Sequence, residues 1–560
     1  MPQSLTEPLS NVDAAWLRME HPTNLMMISG IMTFDQPIDM DHLKAVFQHR
    51  FVDKYVRFRQ RVVQPRLSLK AAYWEIDPNF DLNAHIHRVA LPAPGDKAAL
   101  QELASDLTST PLDFARPLWQ MHYIENYGEG CALLVRLHHC IADGMALVGV
   151  LLSLTDFSAD SPWPKPVAEE TAEPDNDSLL GRAWNTLTKP ASTAVNVAKQ
   201  AAGLTGRLVQ EGRDTIANPS RLLELIEQGR DFSLSAGRLV LRLPDPPTMF
   251  KGQLGVSKKV CWIRPLPLDD IKAIKNVTGG TVNDVLVSIL SGALRRYLLS
   301  QNQRVEGIEF RAAVPVNLRS AAEMETMGNK FGLVFLTLPI NIADSVERLH
   351  VVRERMTILK NSPEAVVAFG ILNALGMTPT DIQSEFVKLM GAKATAVLTN
   401  VPGPRFPLYL AGQRIRSMMV WVPQSGRLSL GLSIISYANK VFVGICADAN
   451  LIPDSTSITD FFIEEYEEMM QLVEHAKTLD DLMVQVAAAD QQAQPQSATK
   501  AAEAPAEPAP AAPAKQPADT GMVETAPTAS TRCQATTQAG NQCKNSAQPQ
   551  SNYCHIHKNA

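Results

Sequence analysis

Two adjacent histidines, His138 and His139, open the run His138-His139-Cys140-Ile141-Ala142-Asp143-Gly144. A histidine that is neutral near pH 7 can accept a proton from a hydroxyl or an amine. Neighbours on extended backbone point to opposite faces, so one ring can face a given cleft while the other is tied down by hydrogen bonds. The chain has no Gly-x-Ser-x-Gly elbow, and no cysteine sits in an evident activating context. That disfavours a covalent serine or cysteine mechanism and favours direct attack by a deprotonated acceptor. His138, His139 and Asp143 are in principle metal ligands, but adjacent histidines that point apart make a joint site awkward. A purely structural histidine pair is the remaining reading.

The elements around the pair must hold it. Residues 131–137 are an apolar, strand-like run, and residues 145–152 are helix-like. Asp143 stands where a helix N-cap is expected. A base at the end of a strand is held by rigid structure and still faces a cleft. Upstream, residues 26–34 read as a strand, 39–51 as a helix with Leu43, Val46 and Phe47 on one face, and 97–108 as a helix. Asp13 reads as a helix cap before Ala14-Ala15-Trp16-Leu17. Arg57, Arg59, Arg61 and Arg66 alternate; they suit an anionic ligand or, as the simpler reading, one solvated strand face. Pro117-Leu118-Trp119 ends a turn that prolines keep out of regular helix, before a strand at 120–124.

Size and composition frame this. At 560 residues, with 45% hydrophobic and 20% charged residues, the chain has material for a large core and more than one domain. A net charge of −6 makes no electrostatic case for nucleic acid as a partner. Cys131, Cys140, Cys261 and Cys446 are scattered in mostly apolar surroundings, as reduced cytosolic thiols are. The N-terminal residues lack a basic region followed by an apolar core, so no signal peptide is expected. No apolar run approaches the ~20 residues that span a bilayer.

Five segments follow: 1–160 and 251–485 as two α/β halves, 161–250 as a linker and helical crossover, 486–530 as a disordered Pro/Ala-rich linker, and 531–560 as a tail module. Residues 178–242 are amphipathic with spaced cations at Arg182, Lys189, Lys199, Arg207 and Arg213. They suit either a helical crossover, the favoured reading, or contact with a membrane or lipid-droplet surface. In the second half, strands are expected at 260–263, 310–316, 334–338, 394–399, 418–422, 428–437 and 441–447. Helices are expected at 268–275, 281–294, 345–360 and 459–477. In the tail, Cys533, Cys543, Cys554 and His557 supply three thiolates and one imidazole, the donor set of a closed structural zinc site. Such a site leaves no open position for catalysis.

His138-His139-Cys140-Ile141-Ala142-Asp143-Gly144 resembles the HHxxxDG signature of CoA-dependent acyltransferases with a chloramphenicol-acetyltransferase-like fold. The surroundings narrow the resemblance: residues 9–30, Pro117-Leu118-Trp119, Asn283-Asp284, VPVNLR at 314–319, GNKFG at 328–332 and NVPGP at 400–404 occur in order. As a set, over roughly residues 8–480, they resemble the bacterial wax ester synthase/diacylglycerol acyltransferase family. The resemblance implies two mixed-sheet α/β subdomains around a central substrate channel. It implies that His139 is the general base, with His138 supporting, for transfer from acyl-CoA to a fatty alcohol or diacylglycerol. Asp143 is then structural, held by a salt bridge to Arg319, and Gly144 serves a tight turn. Asn283, Asp284, Arg319, Pro117, Leu118 and Trp119 bind substrate or shape the site. No cofactor is implied; acyl-CoA is a substrate. Peripheral association with the inner membrane face or a lipid droplet, and a homodimer, are compatible partners. Phe250-Lys251-Gly252 departs from the family, which often has Asn before this Gly. Two other readings stay open: a carrier-bound or polyketide acceptor on the same fold, and a non-enzymatic lipid-binding scaffold.

Overall fold

The structure is a computed structural model that describes residues 6–65, 71–161, 241–319, 323, 326–378, 380–424, 426 and 428–493. Arg66, most of the 161–250 crossover, most of the 486–530 linker and the 531–560 tail lie outside the described residues.

The first half runs β1 (Thr6–Pro8), α1 (Asn11–Arg18), β2 (Met27–Phe34), α2 (Met40–Phe47), β3 (Gln60–Val63), β4 (Tyr73–Ile76), β5 (Ile86–Ala90), α3 (Lys97–Thr108), β6 (Trp119–Tyr127), β7 (Gly130–His138) and α4 (Gly144–Leu154). The second runs β8 (Lys258–Trp262), β9 (Leu266–Pro267), α5 (Leu268–Thr278), α6 (Val282–Ser300), β10 (Phe310–Asn317), β11 (Phe331–Leu338), α7 (Ser345–Lys360), α8 (Glu364–Leu375), α9 (Thr380–Ala392), β12 (Ala396–Pro402), β13 (Tyr409–Leu410), β14 (Gln413–Trp421), β15 (Leu430–Tyr437), β16 (Lys440–Asp448) and α10 (Thr456–Ala493).

Local chemistry sets many of these bounds. Asp96 caps α3 by accepting the Ala99 N–H, and Leu100, Ala104 and Thr108 then bury one stripe at four-residue spacing. Asp344 caps α7 in the same way. Gly279 ends α5 with a left-handed φ of 75° that suits glycine. α10 continues past residue 486, because its alanines and glutamines favour helix.

Two mixed sheets carry the molecule. The first has the order β13-β14-β2-β7-β6-β5, and the second β11-β10-β12-β15-β16-β8 with β9 added on β16. The boundary drawn near residue 250 therefore fails for one segment. β14 leaves the second half and pairs antiparallel with β2, from Ile415 opposite Phe34 to Trp421 opposite Ser29. β2 would otherwise present a row of unpaired backbone groups at a buried edge. The exchange is reciprocal. α3 covers the β8 edge, where Ser109 and Ser105 hydroxyls accept the Lys258 and Val260 N–H groups at 2.8 and 3.0 Å. One apolar core accordingly mixes Leu134 and Met26 with Trp262, Phe331 and Trp421.

Two expectations are corrected. Ser10, not Asp13, caps α1; its hydroxyl accepts the Asp13 N–H at 3.1 Å, which frees the Asp13 carboxylate to point inward. The arginine run is not a solvated strand face. Residues 56–59 form a 3₁₀ turn, Arg57 lies 4.2 Å over the Trp74 ring and pairs with Glu7, and Arg61 pairs with Glu75.

Candidate active site

β7 ends at His138, and backbone bonds pin both histidines. The His138 N–H donates to the Leu118 carbonyl at 2.9 Å and the His139 N–H to the Met26 carbonyl at 2.7 Å. The rings diverge as the strand pleat requires. His138 Nδ1 accepts the Cys140 N–H at 3.1 Å, so its proton sits on Nε2, which faces Glu20 at 3.5 Å. His139 Nδ1 lies 2.9 Å from Asn329 Oδ1. Among the described residues, no three His, Cys, Asp or Glu side chains converge as a metal would need.

The Asn329 amide fixes the His139 tautomer. Its Nδ2 donates to Asp13 Oδ1 at 2.8 Å and to the His139 carbonyl at 2.7 Å. Oδ1 is therefore the atom facing the ring, and Nδ1 must carry the proton. Nε2 is left with its lone pair, as a base requires.

Trp16 stacks on the His139 ring, with centroids 4.2 Å apart and planes within 12°, and Phe331 stands 5.6 Å away on a tilt. His139 is only 6% exposed. Burial disfavours the charged imidazole and pushes its pKa down to about 4, so His139 is neutral at physiological pH. The indole face also attracts a cation, which favours the imidazolium once the ring is protonated.

Asp143 faces away from this ring. Its Oδ1 accepts the Ala146 N–H at 3.0 Å and caps α4. Its Oδ2 accepts Arg319 Nε and Nη2 at 3.0 and 2.9 Å, and the Lys330 N–H at 2.8 Å. Arg319 in turn donates to the carbonyls of Glu323 and Thr326. Backbone bonds stitch the same seam, from Asp143 N–H to the Gly328 carbonyl and from Gly328 N–H to the Ile141 carbonyl. The 139–143 loop of one half and, from the other, Arg319 with residues 326–331 thus form a single unit.

Gly144 does not serve a tight turn. Its φ lies outside the left-handed region, and a Cβ there meets nothing within 4 Å. It is the exposed first residue of α4. Asp284 is the third residue of α6 and completes a capping box with Thr281. Asn283 is bonded to Asn400 of the NVPGP segment, joining α6 to β12. Pro117, Leu118 and Trp119 are buried behind His138. Trp119 donates from Nε1 to the Phe58 carbonyl at 2.9 Å and stacks on His85. A recess of 610 Å³ lined by Lys44, His49 and Arg59 contains none of these site residues.

Among the described residues the thiols offer no competing nucleophile. The described cysteines are free and buried. Desolvation raises the Cys131 and Cys140 thiols and pushes Cys261 and Cys446 up to about 12. The sequence reading assigns no site role to Asp13, Trp16, Asn329 or Phe331. Both pairs lie within the quoted segments, but only the fold brings them to His139.

Comparison with known proteins identifies the family and the fold. Residues 9–286 match the wax ester synthase/diacylglycerol acyltransferase catalytic domain, and residues 327–470 match the C-terminal domain of the same family. A Mycobacterium tuberculosis protein named as a diacylglycerol O-acyltransferase is 28% identical over 479 residues, covering 83% of this chain and 90% of that one. Another from the same species is 27% identical over 455 residues, covering 80% and 92%. Among solved structures, a wax ester synthase/diacylglycerol acyltransferase from Marinobacter aquaeolei matches with a TM-score of 0.59 at 21% identity, covering 83% of this chain and 99% of that one. The first condensation domain of the calcium-dependent antibiotic synthetase matches with a TM-score of 0.52 at 14% identity, covering 84% and 96%. These structures share the two-subdomain fold. With both family domains matched in order along one chain, the protein belongs to the wax ester synthase/diacylglycerol acyltransferase family and is an acyltransferase.

Proposed function

We propose that the enzyme transfers the acyl group of a long-chain acyl-CoA to the hydroxyl of a fatty alcohol or diacylglycerol, with His139 as general base. The observation that carries this reading is the buried, neutral imidazole whose Nδ1 is committed to Asn329. His139 Nε2 takes the hydroxyl proton as the oxygen attacks the thioester carbon. The C–O bond forms, the C–S bond breaks, and the imidazolium returns the proton to the CoA sulfur. Apolar neighbours such as Trp16 and Phe331 keep water from competing with the acceptor.

Two accessory features join the proposal. Leu241 and Leu243, 82% and 78% exposed, support peripheral contact with a lipid surface. Among the described residues no single helix is long and apolar enough to cross a membrane. The donor set Cys533, Cys543, Cys554 and His557 supports a structural zinc in the tail.

The test is turnover of purified full chain with palmitoyl-CoA and either hexadecanol or a diacylglycerol, read as CoA release and ester formation. His139→Ala abolishes both in a folded protein; undiminished turnover in that variant would overturn the mechanism.

A further inference from the structure

Asp13 is the acidic residue of the first turn of α1, a position that suits a carboxylate but does not require it to be buried. Ser10 caps α1 by accepting the Asp13 N–H, and its side chain also bonds the Asp13 carboxylate. Asp13 is only 5% exposed. Among the described residues it forms no ion pair; the cation that acts on it, Arg57, is paired with Glu7 at 3.1 Å. Burying a carboxylate without an ion pair is costly; hydrogen bonds from Ser10 and from Asn329, the latter from Nδ2 at 2.8 Å, offset part of that cost. That amide is the group holding His139 Nδ1. Asp13, Asn329 and His139 thus form a line from α1, through the segment before β11, to the end of β7.

We propose that Asp13 is a positioning residue for acyl transfer: through Asn329 it holds His139 in the tautomer with a free Nε2, and it balances the positive charge that forms on the ring. The proposal rests on His139 being the base. A flipped Asn329 amide would set its oxygen against Asp13 Oδ1 and the His139 carbonyl at once, so the carboxylate enforces one orientation. Asn329 Oδ1 then accepts only from a protonated Nδ1. When Nε2 takes the acceptor proton, the ring holds two N–H groups and a positive charge. The Asn329 dipole points its oxygen at that charge and its amino group at the Asp13 anion, which polarises the amide in the helpful sense. Asp13 receives no proton; the proton passes from the hydroxyl to Nε2 and on to the CoA sulfur. The charged and titratable groups around the ring are His138 and Asp143 on its own segment, Asp13 on α1, and Arg57 beyond Asp13. Arg319 is engaged by Asp143.

The experiment is the pH profile of turnover in the full chain, with palmitoyl-CoA and hexadecanol, alongside thermal unfolding to confirm the fold. Asp13→Asn keeps the shape and an oxygen for Asn329 but removes the charge. It is expected to lower kcat about tenfold with KM nearly unchanged, and to move the acid limb down by about one pH unit. Asn329→Asp leaves Asp13 in place and sets a carboxylate directly on Nδ1; the acid limb is expected to move up by about one pH unit or more. The double variant Asp13→Asn/Asn329→Asp restores a single anion behind the ring and recovers turnover relative to Asp13→Asn alone. If His139→Ala is inactive while the acid limb stays put in both single variants, Asp13 is merely structural and the proposal is overturned. If His139→Ala remains active, the reading of His139 as base fails instead, and the two failures are told apart.

Discussion

Arg319 places two nitrogens on one oxygen of Asp143, Nε at 3.0 Å and Nη2 at 2.9 Å on Oδ2, with both residues buried. The pair joins the two halves beside His139 without touching its ring. Breaking a buried pair from one side leaves an uncompensated charge, which costs far more than a surface ion pair. Arg319→Met is therefore expected to cost about 3–5 kcal/mol of stability, read from urea unfolding. A midpoint shift typical of a surface variant would mean that the pair does not hold the seam.

His139 contributes to the acid response of the protein. Its pKa falls from 6.5 to about 4 because burial disfavours the charged ring. Between these values the unfolded chain binds more protons than the folded one, so stability rises with pH through this window and is lost as pH falls through it. Each pH unit is worth up to about 1.4 kcal/mol for one such proton. His122, pushed down to about 3 mainly by burial, adds in the same sense. His139→Gln removes one share of the slope. Urea midpoints at pH 4.5 and 6.5 should therefore differ less in this variant than in the wild type. The acid limb of wild-type turnover is expected nearer pH 4 than 6.5.

Lys251 stands where the sequence resemblance leads one to expect asparagine, and the structure gives it a job of its own. Its ammonium donates to the carbonyls of Gly391, Ala392 and Ala394 at the end of α9. A cation there satisfies end carbonyls and complements the helix dipole. Lys251→Met keeps the apolar stem and is expected to cost about 1–3 kcal/mol by urea unfolding. An unchanged midpoint would show that the three carbonyls are satisfied without it.

How far the chain alone discloses this site depends on the range of the cause. Helices at 97–108 and 345–360 are readable because cap and stripe lie within one window, and the structure places them at Lys97–Thr108 and Ser345–Lys360. Glu364–Leu375 carries no such signal; its composition is mostly apolar, and Pro363 at its start makes no side-chain cap bond. The Asp143–Arg319 contact, 176 residues apart in sequence, came from the family pattern and not from local spacing. Asn329 lies in the readable GNKFG segment, but its role depends on a ring 190 residues away. Nothing in residues 413–421 says which of two sheets the strand will join; the unpaired edge of β2 decides it.

The tail donor set makes a prediction independent of the acyltransfer site. Three thiolates and one imidazole fill a tetrahedral zinc shell. Full chain purified without chelator is expected to carry about one zinc per molecule by elemental analysis, and Cys543→Ser to lose it. Turnover is expected to persist in that variant, since a closed shell offers no substrate position. Zinc content unaffected by Cys543→Ser would remove the tail from consideration.

Gly332, in the GNKFG segment, ties fold to chemistry through contact rather than charge. A Cβ at this position would sit 1.8 Å from the Ala365 carbonyl oxygen, a backbone atom of α8 that cannot rotate aside. α8 packs on β11 on one side and on α1 on the other, where Asn11 Nδ2 donates to Asn373 Oδ1 at 3.1 Å. Pushing α8 outward therefore drags α1, and with it Trp16 and Asp13, away from His139. Gly332→Ala is expected to cost about 1–3 kcal/mol, as overpacking does, and to lower kcat at temperatures where the variant stays folded. Gly144→Ala is the matched control for stability, because its Cβ meets open space and its backbone is not left-handed. Its unfolding midpoint is expected to correspond to a change within about 0.5 kcal/mol. Equal destabilisation by the two substitutions would mean that α8 does not transmit the clash, and that packing beneath Asn329 is looser than these contacts require.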